Sequence, residues 1–171
     1  MKLIAASPAD FPTLYAALCA AFPENERRDE ENARALLDRT DYRLLHIEEA
    51  GERIGLFSLF EFEDFRFLEH FAILPEYRNR GLGTRALSLL TDRPVILEAE
   101  LPTTPIATRR IGFYRRCGFS VNPIEYAQPP YRTGDAPTPM HLLSSPTLLT
   151  DPQGAVALIY ERVYDRTRRI P

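Results

Sequence analysis

The sequence has little cysteine, no long apolar run, no marked excess of charge of one sign and no internal repeat, and each of these absences narrows what it can be. Cys19 and Cys117 are its two cysteines, and they give neither a disulfide framework nor the spacing of a metal site, so no metal is expected. Cys19 lies in an apolar helical run and reads as a small buried hydrophobe. Cys117 has no evident activating partner, which argues against a nucleophilic role. No stretch is apolar for long enough to cross a bilayer, and Met1–Ile4 lacks the long apolar core of a signal peptide. The expectation is a cytoplasmic protein with no membrane partner. A formal charge of −3, with arginines mostly interleaved among acids, argues against nucleic-acid binding. With no linker to divide it, a chain of 171 residues, 44% hydrophobic and 26% charged, is expected to form one self-supporting domain, 1–171.

What is present is concentrated in one stretch, Glu69 to Thr84. An apolar strand stops at Pro75, the chain turns through Arg78, Asn79, Arg80, Gly81, Leu82 and Gly83, and a helix begins at once. A helix N-terminus offers unpartnered N–H groups and the positive end of the helix dipole. Glycine lets the backbone adopt φ > 0 and approach a ligand closely. With two arginines alongside, the turn can hold a phosphate. The competing reading is an ordinary strand-to-helix loop with solvated arginines.

Around this stretch the elements follow from pattern. Leu3–Ala6 is a short strand. Ser7 caps a helix that starts with Pro8 and Asp10 and buries Phe11, Leu14, Tyr15, Leu18 and Phe22. A charged stretch, Pro23–Glu31, leads into a second helix carrying Ala33, Leu36 and Leu37. Strands are expected at Tyr42–Glu49, Arg53–Glu61 and Phe65–Leu74, the last in a central position. A helix over Gly81–Thr91 should bury Leu82, Ala86, Leu89 and Leu90, and Val95–Glu100 is the following strand. Strand, helix and strand in succession imply a parallel, right-handed βαβ unit. Thr104 and Pro105 open a further helix that ends at Gly118. Residues 122–139 carry five prolines and two tyrosines and read as a loop or edge excursion, with a lid or a contact in a homodimer as the functional alternative. Met140–Leu143 is a strand, and Asp151-Pro152 starts a last helix.

The loop Arg78-Asn79-Arg80-Gly81-Leu82-Gly83 resembles the R/Q-x-x-G-x-G/A pyrophosphate loop of the GNAT superfamily of N-acetyltransferases. Phe113-Tyr114-Arg115-Arg116-Cys117-Gly118-Phe119 resembles that family's later F-Y-x-x-x-G-F element. The resemblance implies an α+β (α/β) fold, with a mixed, mostly antiparallel central sheet containing a splayed parallel pair, and flanking helices. It implies acetyl-CoA as co-substrate, held at Arg78, Asn79, Arg80, Gly81, Leu82, Gly83 and Thr84, with the pantetheine arm against the backbone at Phe71 and Ile73. The acceptor is then a small-molecule amine or a peptide amine.

Tyr114 matches the tyrosine beside the coenzyme A sulfur in many members. A phenol of unperturbed pKa near roughly 10 can supply a thiolate of pKa roughly 8.5. Glu69, Glu98 and Glu100 are rival carboxylates for a base or for ordering a water, with a raised pKa expected in an apolar cleft. His70 should point away from Glu69 by strand alternation. Glu26 and Arg28 fall in the region that rims the acceptor pocket in the family. Two departures stand out: Ala107 occupies the place of an asparagine that anchors the cofactor arm in the family, which leaves that role to Thr104 or Thr108 or else lowers the affinity, and Gly112 sits inside a helix, where a close approach of the cofactor or a strand would explain it. The function implied is acetyl transfer to a primary amine by direct attack, the alternative being a non-catalytic acyl-CoA-binding module.

Overall fold

The computed structural model describes residues 1–165, which fall into two units, Met1–Arg93 and the residues from Pro94 onward. In the first unit, strands β1 (Lys2–Ala5), β2 (Tyr42–Glu49), β3 (Glu52–Glu61) and β4 (Arg66–Ile73) lie side by side in chain order, each antiparallel to the next. Ala50 and Gly51 both have positive φ, 52° and 88°, the geometry of a tight hairpin turn whose twist matches that of its strands. β3 is buried along Ile54–Phe60, and Phe57, Phe60 and Phe67 are wholly enclosed.

The first helix does not begin at Pro8. Pro8–Asp10 form a 3₁₀ turn, fastened by the Ser7 N–H and hydroxyl, both donating to Asp10 Oδ2 at 2.9 and 2.6 Å. The helix α1 (Phe11–Ala21) follows, with Phe11, Leu14 and Leu18 buried, Tyr15 and Phe22 half-buried, and Cys19 half-buried rather than enclosed. Helix α2 (Glu30–Ala35) is capped by Asp29, which accepts from Asn32 N at 2.8 Å.

β4 contains an irregularity that matters for the site. Its register runs Ile73 opposite Gly55, Ala72 opposite Leu56, Phe71 opposite Phe57 and His70 opposite Ser58, and then Leu68 opposite Leu59. Glu69 has no counterpart on β3, so β4 bulges there by one residue. The two strands approach closely at the other end of this pairing: a Cβ on Gly55 would lie 2.3 Å from the Ala72 carbonyl oxygen.

After β4 the chain enters α3 (Leu82–Leu87), which tightens into a 3₁₀ turn at Ser88–Leu90. The tightening rotates the end of the helix relative to a uniform 3.6-residue pattern. Leu87 is buried in consequence, and Leu89, expected inside, is 37% exposed.

In the second unit β5 (Val95–Glu100), β6 (Ser120–Val121) and β7 (Tyr126–Gln128) all pair antiparallel with one long strand, β8 (Thr138–Ser145). Helix α4 (Pro105–Arg116) is capped by the Thr104 hydroxyl, which accepts from Ala107 N at 3.1 Å. Helix α5 (Pro152–Arg162) is capped by Asp151, which accepts from Gly154 N at 2.9 Å. Ile96, Leu97, Leu142, Leu143 and Ile159 form its enclosed centre. The proline-rich segment thus contributes a short strand, and β8 extends two residues beyond Met140–Leu143 at each end.

Candidate active site

At the end of β4, Pro75–Tyr77 make a 3₁₀ turn, with Tyr77 N donating to Leu74 O at 2.9 Å and Arg78 N to Pro75 O at 3.2 Å. The Arg78 side chain folds back and its Nε donates to the Ile73 carbonyl at 2.8 Å. Asn79 and Gly81 are left-handed, with φ of 59° and 72°, and Gly81 is the residue that opens α3. Nothing lies within 4 Å of the position a Gly81 Cβ would take. Arg78, Asn79, Arg80, Gly81 and Thr84 are exposed. The turn therefore combines a left-handed glycine, open space, the leading amides of a helix and two surface guanidinium groups, and these residues fit a diphosphate.

The backbone of β4 is polarised by its pairing. Leu74 N donates to Ile54 O at 2.9 Å, and the register places Ala72 and His70 on the same hydrogen-bonded positions toward β3. Phe71 and Ile73 fall on the alternate positions, so their N–H and C=O groups point away from β3. That is the orientation a strand-like ligand arm requires. At Ile73 the carbonyl accepts from Arg78, which ties the loop to the strand it follows.

Glu69 sits at the bulge. Its carboxylate is 1% exposed although its backbone reaches the surface, and it is ion-paired with Arg28, itself 11% exposed. Ser58 Oγ lies 3.3 Å from Glu69 Oε2 and 2.9 Å from His70 Nδ1, and His70 Nδ1 is 3.5 Å from Glu69 Oε2. Strand alternation would have put Glu69 and His70 on opposite faces; the extra residue in β4 removes that alternation locally and lets both reach Ser58. His70 Nε2 is 3.0 Å from the Glu26 carbonyl oxygen, and the ring meets Phe22 edge-on at 4.7 Å. A carbonyl only accepts, so the Nε2 that faces Glu26 carries a proton.

The acidity of Glu69 is the reverse of the raised value expected for a buried acid. Burial alone would raise it, but the charge of Arg28 and the bonds to His70 and Arg28 hold it down to about 2. Glu26 and Arg28 are thus brought to this cluster, Glu26 by its backbone and Arg28 by its side chain. Tyr42 is pushed well above the ordinary tyrosine range by burial and by the nearby Glu69 charge.

In the second unit Tyr114 is 9% exposed, with its ring 5.3 Å from Phe113 and 5.7 Å from Phe119. Its hydroxyl makes no hydrogen bond to any described residue. Burial, opposed by Arg110, pushes the phenol up to about 12. Glu100 pairs with Arg110 at the protein surface. Thr104 is engaged in capping α4, and the Thr108 hydroxyl donates to Pro102 O at 3.3 Å. A Cβ on Gly112 would meet the tip of the Arg116 side chain at 3.4 Å, so no strand packs closely there.

Glu98 has an elaborate seat. Tyr126 donates its hydroxyl to Glu98 Oε1, while Gln128 Nε2 and the Tyr164 hydroxyl donate to Oε2 at 2.6 and 2.7 Å. Burial and the Glu98 charge raise the Tyr126 pKa well above the usual value. Sequence reasoning did not single out Tyr126, Gln128 and Tyr164, nor Ser58. A signal for some of them was present: Tyr126 and Gln128 share one face of a strand by their spacing of two, and Tyr160 and Tyr164 are four apart at the end of a helix.

The model of the Acetyltransferase (GNAT) family matches residues 11–119. The chain is 31% identical to the Bacillus subtilis (strain 168) protein "Putative acetyltransferase YjbC" over 108 residues, 60% of this chain and 54% of that one, so the match spans about half the length of that relative. Among solved structures it is similar to a GNAT-family protein from Bacteroides thetaiotaomicron, with a TM-score of 0.92 and 32% identity, covering 97% of this chain and 99% of the other. A GNAT-family acetyltransferase from Elizabethkingia anophelis, solved with acetyl-CoA bound, shares the fold at a TM-score of 0.57 and 18% identity, over 84% of this chain and 95% of that one. The fold in common is mixed α+β, mostly antiparallel with one parallel strand pair and flanking helices.

Proposed function

Since the chain belongs to the GNAT family of acetyltransferases, we propose that it is an acetyl-CoA-dependent N-acetyltransferase that acetylates a primary amine by direct attack in a ternary complex. The observation that carries this reading is the turn at Arg78–Thr84, where a left-handed glycine with open space around it heads a helix directly after β4.

Acetyl-CoA supplies a thioester whose carbonyl carbon accepts the amine nitrogen as the carbon–sulfur bond breaks. The amides of Gly81, Leu82, Gly83 and Thr84, with Arg78, Asn79 and Arg80, hold the diphosphate. The outward backbone groups of Phe71 and Ile73 align the arm. Tyr114 is the residue that would face the sulfur with its hydroxyl. A phenol near 12 facing a thiol near roughly 8.5 makes complete proton transfer uphill by about 5 kcal/mol, so Tyr114 acts chiefly as a hydrogen-bond donor to the developing thiolate.

Of the candidate carboxylates, Glu69 is enclosed and its charge is matched by Arg28, which suits it to holding the Pro23–Asp29 stretch against β4 rather than to taking a proton. Glu98, half-buried on β5, is the carboxylate we assign to the acceptor, either receiving the amine proton directly or ordering the water that does. The test is thiol release from acetyl-CoA with a panel of small amines and peptides, alongside acetyl-CoA binding by calorimetry. Turnover with an amine supports the enzyme. Tight binding without turnover across the panel replaces it with an acyl-CoA-binding module.

A further inference from the structure

The family match ends at Phe119, yet Tyr126, Gln128 and Tyr164, which donate to Glu98, lie beyond it. Tyr126 and Gln128 lie on β7, opposite Met140 and Thr138 of β8, and Tyr164 follows α5. The arrangement is built rather than incidental. Each donor serves a particular oxygen, and Gln128 Nε2 also donates to the Tyr164 hydroxyl at 3.2 Å, so that Tyr164 accepts from the amide while it donates to the carboxylate. The Tyr160 hydroxyl donates to the Ala127 carbonyl, pinning the backbone between Tyr126 and Gln128. The rings of Tyr126 and Tyr160 lie 5.8 Å apart, and those of Tyr131 and Tyr164 5.3 Å apart, which fixes the phenols laterally. Tyr126, Gln128 and Tyr164 are each 7% exposed.

We propose that Tyr126, Gln128 and Tyr164 are positioning residues, which aim the Glu98 carboxylate at the acceptor amine and keep it ionised. The proposal rests on the assignment of Glu98 to the acceptor. Its physical basis is that hydrogen bonds donated to a carboxylate favour the charged form, and that bonds to a charged group are roughly twice as strong as neutral ones. A carboxylate held by two phenols and an amide has a fixed direction as well as a fixed charge. The proline-rich segment thereby gains a role, since it carries two of the three donors to a strand that precedes it in the chain.

The experiment compares the wild type with Tyr126→Phe, Gln128→Met, Tyr164→Phe and Glu98→Gln. Two quantities are followed: the pH profile of kcat/KM for an amine found in the panel, and the titration of the Glu98 side-chain carboxyl by NMR of protein carrying ¹³C-labelled glutamate, assigned with Glu98→Gln. Circular dichroism and thermal melting verify that each variant is folded. Loss of one donor is expected to move the Glu98 titration, and the acid limb of the profile with it, upward by about one pH unit, with activity recovering toward wild type above the limb. Glu98→Gln is expected to lose about a hundredfold or more in kcat/KM with acetyl-CoA affinity intact. An inactive Glu98→Gln beside donor variants whose titration and acid limb stay in place would overturn the positioning role and leave the assignment of Glu98 standing. A fully active Glu98→Gln would overturn that assignment, and the positioning role with it.

Discussion

The bulge on β4 and the region around Tyr114 and Glu98 handle polar groups in opposite ways. At the bulge, Arg28, Glu69, Ser58 and His70 are joined by an ion pair and hydrogen bonds in which a full positive charge answers the carboxylate. In the second unit, the Tyr114 hydroxyl makes no hydrogen bond to a described residue, and Glu98 accepts from Tyr126, Gln128 and Tyr164. A matched buried pair secures position but gives up reactivity, because any change in its protonation breaks the match. A hydroxyl with no partner in the protein is ready to bond a ligand. The first region should therefore answer to tests of stability, and the second to tests of turnover.

The largest effect is expected from Arg28→Met. Removing one member of an enclosed pair leaves the other charge uncompensated, which costs about 3–5 kcal/mol, and denaturant titration should show it as a lower midpoint. An unchanged midpoint would mean that the bulge is not the stabilising region. Glu69→Gln sharpens the same point through pH. The folded-state pKa of Glu69, about 2, lies below the ordinary glutamate value of 4.5, so its contribution is present above about pH 4.5 and lost as pH falls toward 2. Stability in the variant should vary less with pH across that window than in the wild type; parallel curves would contradict the assignment.

Tyr114→Phe comes next, with kcat falling about ten- to a hundredfold, acetyl-CoA affinity nearly unchanged and the fold intact. Equal turnover at every pH would remove the tyrosine from the chemistry and erase half of the contrast. Gly81→Glu should weaken acetyl-CoA binding about tenfold or more through a strained left-handed backbone and charge repulsion, measured calorimetrically. Undiminished affinity would move the diphosphate elsewhere.

Much of this architecture was legible in sequence where the cause was local. β2 and β5 have the bounds that their patterns suggested, and Thr104 and Asp151 cap helices as their chemistry dictates. The glycine turn was equally readable, since its conformation is fixed by residues within a few positions. What was hidden depended on distance or on a count of one. Glu69 and His70 are both polar, so nothing in their order reveals which residue the opposing strand leaves unmatched. The seat of Glu98 joins residues 28 to 66 positions apart. An acid on a strand also says nothing of its acidity: Arg28, 41 positions away, decides the direction for Glu69.

The unmatched residue at Glu69 behaves like a frame shift in a message read two letters at a time. Upstream of it, Phe67 and Leu68 are matched to Phe60 and Leu59; downstream, His70 to Ile73 are matched to Ser58 to Gly55, in the other frame. Both readings are needed at once, the first to seat the phenylalanine core and the second to turn the backbone groups of Phe71 and Ile73 outward. Deleting residue 69 would do more than remove a carboxylate. It would force one frame on the whole strand, so that either the core or the backbone groups directed away from β3 would have to be given up.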